Sequence, residues 1–371
     1  MRLAHIDVAR GLCILFVVLG HNPALTHPDS LSNACLAVFR MPLLFFIAGT
    51  FFRANIPFGT LMRDKAHALI KPFLVMAVLH APFRLLWWDA DPTGYLLGTL
   101  SGSGTYLPWV YTLWFLPHLW LVFASGWLLE RGFTKHGFHS VERVLLLLML
   151  LMLGVWLLPV FWMRPIQMLD SIWLVKGLPL SADILPISLF YFFMGHHFRA
   201  LFQRAQYRWQ AAALSLMVFV GLIAVYSPRT GLFSRVYTDV LGCTTAALAG
   251  IVLITQISCA LSRWPALRGP LAHCGVNSLF LLLFHSPVQS VTLKTLAALG
   301  WPHSTPAGWV AFAVSVLVSL ALARMIRRSA WLGWCFLPPN QVQRRSSPLA
   351  SDGVPTAPMP LEDVAPVARS A

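Results

Sequence analysis

The chain has 371 residues, of which 57% are hydrophobic and only 11% charged, and its formal net charge is +14. Soluble domains carry about 25% charged residues, so this composition excludes an ordinary soluble protein and indicates a membrane protein with several spans. The six cysteines lack metal-site or redox spacing, and we interpret them as packing residues. The adjacent His196 and His197 project from different helix faces, so no metal site is expected.

Apolar runs long enough to cross a bilayer, at about 20 residues each, follow one another along the chain. About ten such runs are predicted, at 8–25, 35–52, 69–88, 112–129, 144–163, 184–202, 210–226, 240–261, 279–299 and 308–326. No A-x-A-like cleavage site follows the first run, so we interpret it as a span that stays in the protein. The sequence therefore predicts an all-α fold, a polytopic transmembrane helix bundle of about ten spans.

The composition changes near the C-terminus, where prolines and serines replace bulky apolar residues. Such a segment buries too little surface to order itself. We therefore expect residues 1–330 to form one transmembrane domain and residues 331–371 to form a disordered cytoplasmic tail.

Basic residues concentrate in alternate loops and in the tail, whereas the opposite loops carry aspartates. The basic set is Arg53, Arg63, Lys65, Arg131, Lys135, Arg199, Arg204, Arg208, Arg263, Arg268, Arg327, Arg328, Arg344 and Arg345. The opposite loops hold Arg164, Lys176, Arg229 and Arg235 with Asp29, Asp89, Asp91, Asp170, Asp183 and Asp239. The positive-inside rule then places both termini in the cytoplasm. Basic loops against anionic lipid headgroups account for the net charge, so membrane lipids are expected partners and nucleic acid is not.

Three ionisable residues lie on one face of the first predicted helix. Arg10 and His21 are separated by eleven positions, which is three helical turns plus about 20°, so they share a face about 16 Å apart along the axis. Asp7 lies one turn before Arg10. Ionisable groups inside a membrane helix are costly, and a functional role is their default interpretation.

A second histidine is predicted at a similar depth. His21 lies in the middle to outer part of the bilayer if the first helix runs outward. His285 lies ten positions beyond Gly275 on the ninth helix, which also runs outward. The two histidines are therefore expected to share one cavity.

Four blocks of sequence occur in a fixed order along the chain. They read IDVARG at 6–11 followed by His21, FRMPLLFFIAG at 39–49, LWFLP at 113–117, and NSLFLLLFHSP at 277–287. Together they resemble the integral-membrane acyltransferase 3 family, which includes bacterial sugar O-acetylases and glucan succinylases. The resemblance covers about residues 1–330. It implies an acyltransferase of the bacterial inner membrane that acts on a polysaccharide or another glycan of the cell envelope.

The resemblance implies that Arg10 and His21, an arginine and a histidine separated by ten residues, are needed for acyl transfer. Lys71 before a proline and His285 match further positions of the family pattern, and with Asn277 and Ser278 they are candidate substrate-binding residues. Two positions depart from the family pattern, because Arg40 and Ala48 stand where it usually has histidine and serine. These departures leave the acceptor open.

Transfer of an acyl group from a thioester to a hydroxyl needs a base for the hydroxyl proton. A neutral imidazole suits this task because the unperturbed pKa of histidine is about 6.5. His21 is therefore the candidate base, and an acyl-histidine intermediate at the same residue is the other route. Arg10 lies nearer the cytoplasm, where it can position the donor or pair with Asp7.

An acyl-CoA, acetyl-CoA among them, is the expected donor, with no permanently bound cofactor. Its phosphates suit the basic cytoplasmic residues Arg63, Lys65 and Lys71, which give charge-assisted hydrogen bonds. On the other side, the outer loops at 87–91 and 102–111 have aromatic and acidic groups that suit a sugar. The identity of the acyl group, acetyl or succinyl, stays open. Arg40 near the outer end of the second helix suits the free carboxylate that a succinyl group carries.

Each polar residue also has a structural interpretation. Asp7 and Arg10 can form an ion pair one turn apart, His21 can bond to a neighbouring carbonyl, and Lys71 can extend to the headgroups. Trp114 is either a substrate platform or a residue of the interfacial aromatic belt.

The alternative function for the whole protein is a proton-coupled transporter or flippase of a glycan or small molecule. The sequence shows no duplicated halves of the kind that many transporters have.

Overall fold

The structure is a computed structural model that describes residues 3–27, 30–87, 91–102, 111–168, 171–301 and 304–339. Its α-helices are α1 (Ala4–Gly20), α2 (Leu31–Thr50), α3 (Phe58–Lys65), α4 (Lys71–Trp87), α5 (Pro92–Ser101), α6 (Phe115–Lys135), α7 (Ser140–Leu157), α8 (Leu185–His197), α9 (Arg199–Gln203), α10 (Trp209–Tyr226), α11 (Val240–Leu261), α12 (Pro265–Val276), α13 (Ser278–Ala298), α14 (Thr305–Arg328) and α15 (Ala330–Phe336). Two antiparallel hairpins pair β1 (Trp162–Met168) with β2 (Ser171–Lys176) and β3 (Thr230–Gly231) with β4 (Val236–Tyr237). The predicted all-α fold is confirmed.

Eight helical segments among the described residues are long and apolar enough to cross a membrane. They are Leu31–Thr50, Phe58–Leu86, Thr112–Lys135, Ser140–Leu157, Trp209–Tyr226, Val240–Leu261, Ser278–Ala298 and Thr305–Arg328. Each overlaps one predicted run. The first and sixth predicted runs are the shorter helices α1, with 17 residues, and α8, with 13 residues. The protein is a multi-pass membrane protein.

The fifth predicted run ends earlier than expected. The sequence predicts a helix over 144–163, but α7 ends at Leu157 and the chain enters β1 at Trp162. Pro159 lies between them, and proline cannot continue a helix without losing a hydrogen bond. A long apolar run therefore divides into a helix and a hairpin.

Two pairs of central helices pack so closely that glycine is required at their contacts. At Gly11 in α1 and Gly275 in α12, an added methyl group would overlap a backbone carbonyl oxygen of the facing helix. Gly49 in α2 and Gly195 in α8 meet in the same way. Small residues allow such close packing between membrane helices, and here they hold α1 and α2 in the centre of the bundle.

Helices α7 and α10 lie at the periphery and present apolar surface outward. Each of them buries only three side chains or glycines against the rest of the protein. Large apolar residues of both helices are exposed, namely Leu145, Met149, Trp156, Leu214, Met217 and Val225. Exposed apolar patches of this kind mark interaction surfaces, and in a bundle of spanning helices they face lipid.

A short helix continues the ordered chain beyond α14. Phe336 at the end of α15 is only 3% exposed. The ammonium of Lys71 donates hydrogen bonds to the carbonyl oxygens of Trp334 and Leu337, at 2.6 and 2.5 Å. A cation at the C-terminus of a helix also interacts favourably with its dipole. Lys71 therefore fastens α15 to the start of α4.

The described chain continues into the segment for which the sequence predicts disorder. Helix α15 occupies Ala330–Phe336. Phe336 and Leu337 supply buried apolar surface there, and Lys71 binds carbonyl groups of this stretch from a distant part of the chain. Residues 340–371 lie outside the described part of the chain.

Candidate active site

The site lies at one end of the bundle, where α1 ends, α2 begins and the β3–β4 hairpin connects α10 to α11. We call this the histidine end, and the opposite end, where α1 begins and α2 ends, the arginine end. His21 is the residue that ends α1. His285 projects from α13, and its Nε2 atom lies 3.4 Å from Nδ1 of His21. The two histidines that the sequence places at similar depth are thus in direct contact.

Backbone carbonyls determine which nitrogen of each ring carries the proton. Nδ1 of His21 lies 2.7 Å from the carbonyl oxygen of Val17, and Nδ1 of His285 lies 2.7 Å from that of Leu281. A carbonyl oxygen only accepts, so Nδ1 is the protonated nitrogen of each neutral ring. The basic lone pair of His21 is therefore on Nε2. The Nε2 atom of His285, 3.4 Å away, accepts a second and longer branch of the hydrogen bond that Nδ1 of His21 donates to Val17, and so helps to orient the ring.

Two connected spaces open beside His21. The outer recess, about 560 Å³, is lined by His21, Arg40, Trp114, Arg229, Phe233 and Asn33 among others. The inner cavity is smaller, about 80 Å³, and extends past His21 and Arg40 to Phe115, Tyr191 and Tyr237. A space of this kind can hold a sugar in its outer part and an acyl group in its inner part.

Arg40 brings a permanent positive charge to both spaces. Its guanidinium lies against Gly20, the residue before His21, since a methyl group on Gly20 would overlap it. The charge acts electrostatically on both histidines. The sequence identifies Arg40 only as a departure from the family pattern. Its position beside His21 depends on the packing of α2 against α1, which no local pattern encodes.

Trp114 forms a wall of the recess and does not face lipid. It is 6% exposed, and its ring packs against Phe115, His118 and Phe233 with centroid distances of 6.3, 5.6 and 6.5 Å. The interpretation of Trp114 as an interfacial belt residue is therefore wrong, because belt residues lie at the lipid-facing surface.

The β3–β4 hairpin closes the recess and is held by a buried ion pair. The guanidinium of Arg235 donates to both carboxylate oxygens of Asp183, at 2.7 and 3.1 Å. Both side chains are almost completely buried, with 1% and 0% exposure. Arg235 also donates to the carbonyl oxygen of Phe233 at 2.7 Å. This two-pronged contact fixes the hairpin against the segment that precedes α8.

Three buried hydroxyl groups follow one another behind the inner cavity. The Tyr191 and Tyr237 oxygens lie 2.7 Å apart, and the Tyr237 oxygen lies 2.7 Å from Oγ1 of Thr244. Sequence reasoning missed these residues, because Tyr191 sits in an apolar helix and Tyr237 in a connecting segment. Only the tertiary contact between α8, the hairpin and α11 brings them together.

Asp7 and Arg10 lie at the arginine end, away from the histidine pair. Asp7 lies in the first turn of α1, one turn before Arg10. The charge of Arg10 acts on Lys65, whose ammonium lies 3.7 Å from the ring centroid of Phe123. The structure therefore separates Arg10 from His21 along α1, as the spacing predicts.

Asn277 and Ser278 lie where α12 ends and α13 begins. The amide oxygen of Asn277 accepts from Nε of Arg327 at 3.2 Å, and its amide nitrogen donates to the carbonyl oxygen of His273 at 2.9 Å. Asn277 is buried and Ser278 half-buried. Neither residue lines the recess or the inner cavity. Their contacts tie α13, which carries His285, to α14.

A basic recess of about 450 Å³ opens at the arginine end, where α2 and α8 end. It is lined by Arg53, His196 and Arg199 with two small residues of the α2–α3 connection. Arg63 is exposed on α3 near the same end. Cationic side chains around an open space suit phosphate groups. The sequence counts Arg53 and Arg199 among the basic loop residues but does not show that they meet.

The outer loops that the sequence suggests for sugar binding lie largely outside the described residues. This applies to residues 88–90 and 103–110. The described residues of these loops are Trp87, Asp91, Gly102 and Tyr111, which flank α5 and the turn that leads into α6.

Apolar helices long enough to span a membrane, with a pair of contacting histidines between them, define an integral membrane protein. Residues 3–324 match a family model described as an acyltransferase domain, of the acyltransferase 3 type. Neither a curated protein nor a solved structure matches the chain. The chain belongs to the acyltransferase 3 family, and the resemblance seen in its sequence blocks is confirmed. It is a membrane acyltransferase.

Proposed function

We propose that this enzyme moves an acyl group from an acyl-CoA to a hydroxyl of an envelope glycan, with His21 as general base. The observation that carries the proposal is the contact between His285 and His21 beside the outer recess. The carbonyl of Val17 keeps the proton of the His21 ring on Nδ1, which leaves the lone pair on Nε2. A base held in one orientation by a second group is the usual arrangement for activating a hydroxyl.

The reaction then runs in one step at His21. The acceptor hydroxyl gives its proton to Nε2 of His21 as its oxygen bonds to the acyl carbon. The carbon–sulfur bond of the thioester breaks, and the departing CoA thiolate takes the proton from the imidazolium. Proton transfer of this kind contributes about 10²–10⁴-fold to a rate.

The donor is proposed to bind from the arginine end. Arg10 and Lys65 lie inside that end of the bundle, and the basic recess lies beside it. The phosphates of an acyl-CoA would remain with these cations, together with Arg63 and Lys71. Its flexible pantetheine arm would carry the thioester along α1, over the roughly 16 Å that separates Arg10 from His21.

The acceptor is proposed to enter from the histidine end. The outer recess offers an aromatic wall of Trp114 and Phe233 and the polar groups of Asn33 and Arg40. Aromatic rings and a few directed hydrogen bonds suit a sugar. In this proposal the enzyme lies in a bacterial inner membrane with both termini in the cytoplasm, so the recess faces the envelope.

The experiment uses purified full-length protein, radiolabelled acetyl-CoA or succinyl-CoA, and glycans extracted from the envelope of the source cells. Wild type should yield labelled glycan, and His21→Ala should lose at least 10²-fold in rate. His136→Ala is the matched control, because His136 is exposed at the end of α6. Normal transfer by the His21 variant would overturn the mechanism and favour the transporter alternative.

A further inference from the structure

The three residues whose hydroxyl groups form the chain behind the inner cavity are almost completely buried. Tyr191 is 0% exposed, and both Tyr237 and Thr244 are 8% exposed. Tyr191 and Tyr237 line the inner cavity together with His21. Thr244 stands behind them on α11. A polar group in such a place needs a hydrogen-bond partner, because burial without one is costly.

The protons of this chain can run in two directions. Three hydroxyls carry three protons, and the two hydrogen bonds between them use two. If the chain runs from Tyr191 through Tyr237 to Thr244, the last proton lies on Thr244, behind the cavity, where Tyr191 itself is the neighbouring hydroxyl.

The opposite direction leaves its last proton at the cavity. Thr244 donates to Tyr237, Tyr237 donates to Tyr191, and the proton of Tyr191 faces the space that His21 also lines. Burial raises the pKa of Tyr237 to about 12, so Tyr237 keeps its proton at neutral pH and can donate it. This direction places the last donor at the cavity that Tyr191 lines with His21, where a bound ligand can accept from it.

We infer that the Tyr191 hydroxyl donates a hydrogen bond to the carbonyl oxygen of the acyl group held in the inner cavity, with Tyr237 and Thr244 as positioning residues. The inference rests on the proposed function. When the acceptor oxygen attacks, the carbonyl oxygen becomes negative, and a donor fixed in advance stabilises that charge. Tyr191 keeps its proton throughout, while the acceptor proton passes through His21 to the thiolate.

The test compares hydroxyl deletions that keep the aromatic rings. Tyr191→Phe should lower kcat by about 10²–10³-fold, as loss of one oxyanion donor does, with KM for acyl-CoA and glycan unchanged within about twofold. Tyr237→Phe should lower kcat less, since Tyr191 remains but loses its orienting partner. Tyr207→Phe is the matched control, because Tyr207 lies exposed near the start of α10, at the end away from the recess.

Parallel measurements separate the inference from the proposed function. If His21→Ala is inactive and Tyr191→Phe keeps a normal kcat, the role of Tyr191 is overturned while the proposed function stands. A rise in KM for glycan alone would also overturn it, since that would make Tyr191 an acceptor contact. Normal transfer by His21→Ala would instead overturn the proposed mechanism. If Tyr191→Phe does not fold, a normal kcat in both Tyr237→Phe and Thr244→Val would overturn the inference.

Discussion

Nε2 of His285 reaches Nδ1 of His21 while Nδ1 of His285 is held by the carbonyl of Leu281 in its own helix. His285 therefore acts on His21 and not on the recess, whose lining does not include it. In the proposed mechanism, the contact links two histidines that are far apart in sequence to the function of one base. It also separates their expected mutational effects.

His285→Ala should lower kcat by about 3–10-fold, less than His21→Ala, because it removes one orienting hydrogen bond worth about 0.5–1.5 kcal/mol. His285→Gln, which can still offer an acceptor, should recover part of the loss. Steady-state kinetics of the three variants give the comparison. An effect of His285→Ala as large as that of His21→Ala would make His285 a catalytic group instead of a positioning residue.

The buried pair of Arg235 and Asp183 predicts a stability effect. Asp183→Asn should destabilise the protein by about 3–5 kcal/mol, because it leaves a buried guanidinium without its counter-charge. Asp183→Leu combined with Arg235→Met should recover much of this loss. Thermal unfolding in detergent measures both.

The control is the ion pair of Arg143 and Glu130, which is less completely buried. Arg143 and Glu130 are 3.0 Å apart with side chains 30% and 12% exposed. Glu130→Gln should cost about 1 kcal/mol or less. Equal losses in Asp183→Asn and Glu130→Gln would contradict the role assigned to the hairpin contact.

The hydrogen bonds of Lys71 predict that α15 loosens when this side chain is removed. Lys71→Met removes both hydrogen bonds to the end of this helix while keeping an apolar stem. We expect α15 to loosen and Cys335, a half-buried free thiol within it, to react several times faster with a thiol reagent. Arg131→Met is the control, since Arg131 lies on α6. Unchanged labelling of Cys335 would mean that apolar contacts alone hold α15.

The orientation of the bundle is tested with reporters. A reporter that is active only outside the cytoplasm, fused at Arg204 or after Met325, should be silent, because the basic loops predict that both sites are cytoplasmic. A fusion within the β3–β4 hairpin, after Ser234, should be active. Activity at Arg204 would reverse the orientation and exchange the sides proposed for donor and acceptor.

The sequence predicts the helices and the depth of each histidine for the same reason, because both depend only on the local sequence of one helix. Span length and loop charge fix the depth of a residue on its own helix, so His21 and His285 can be placed at a common level without knowing which helices touch. Their common depth and the separation of Arg10 from them follow from helix rise, whereas their mutual contact depends on the packing of α13 against α1.

Contacts between distant segments could not be predicted in this way. Tyr191 and Tyr237 meet only because α8 packs under the β3–β4 hairpin, and α15 is ordered by Lys71 from the start of α4. Arg40 shows an intermediate case. Its position near the outer end of α2 is evident in the sequence, but its place against Gly20 depends on which face of α2 packs on α1.

The basic recess at the arginine end gives the prediction for the donor. Arg53→Ala combined with Arg199→Ala should raise KM for acyl-CoA by about tenfold or more, because each lost charge-assisted contact to a phosphate is worth about 1.5–3 kcal/mol and 1.4 kcal/mol is tenfold. KM for glycan should not change, since the acceptor enters from the other end.

The double variant Arg63→Ala with Lys71→Ala should raise KM for acyl-CoA in a similar way, because both residues belong to the basic α3–α4 segment. Loss of Lys71 also releases α15, so the variant of Arg53 and Arg199 is the cleaner probe. Arg131→Ala controls for charge removal at the same end. If both double variants bind acyl-CoA as wild type does, the donor phosphates lie elsewhere and the entry route proposed along α1 is wrong.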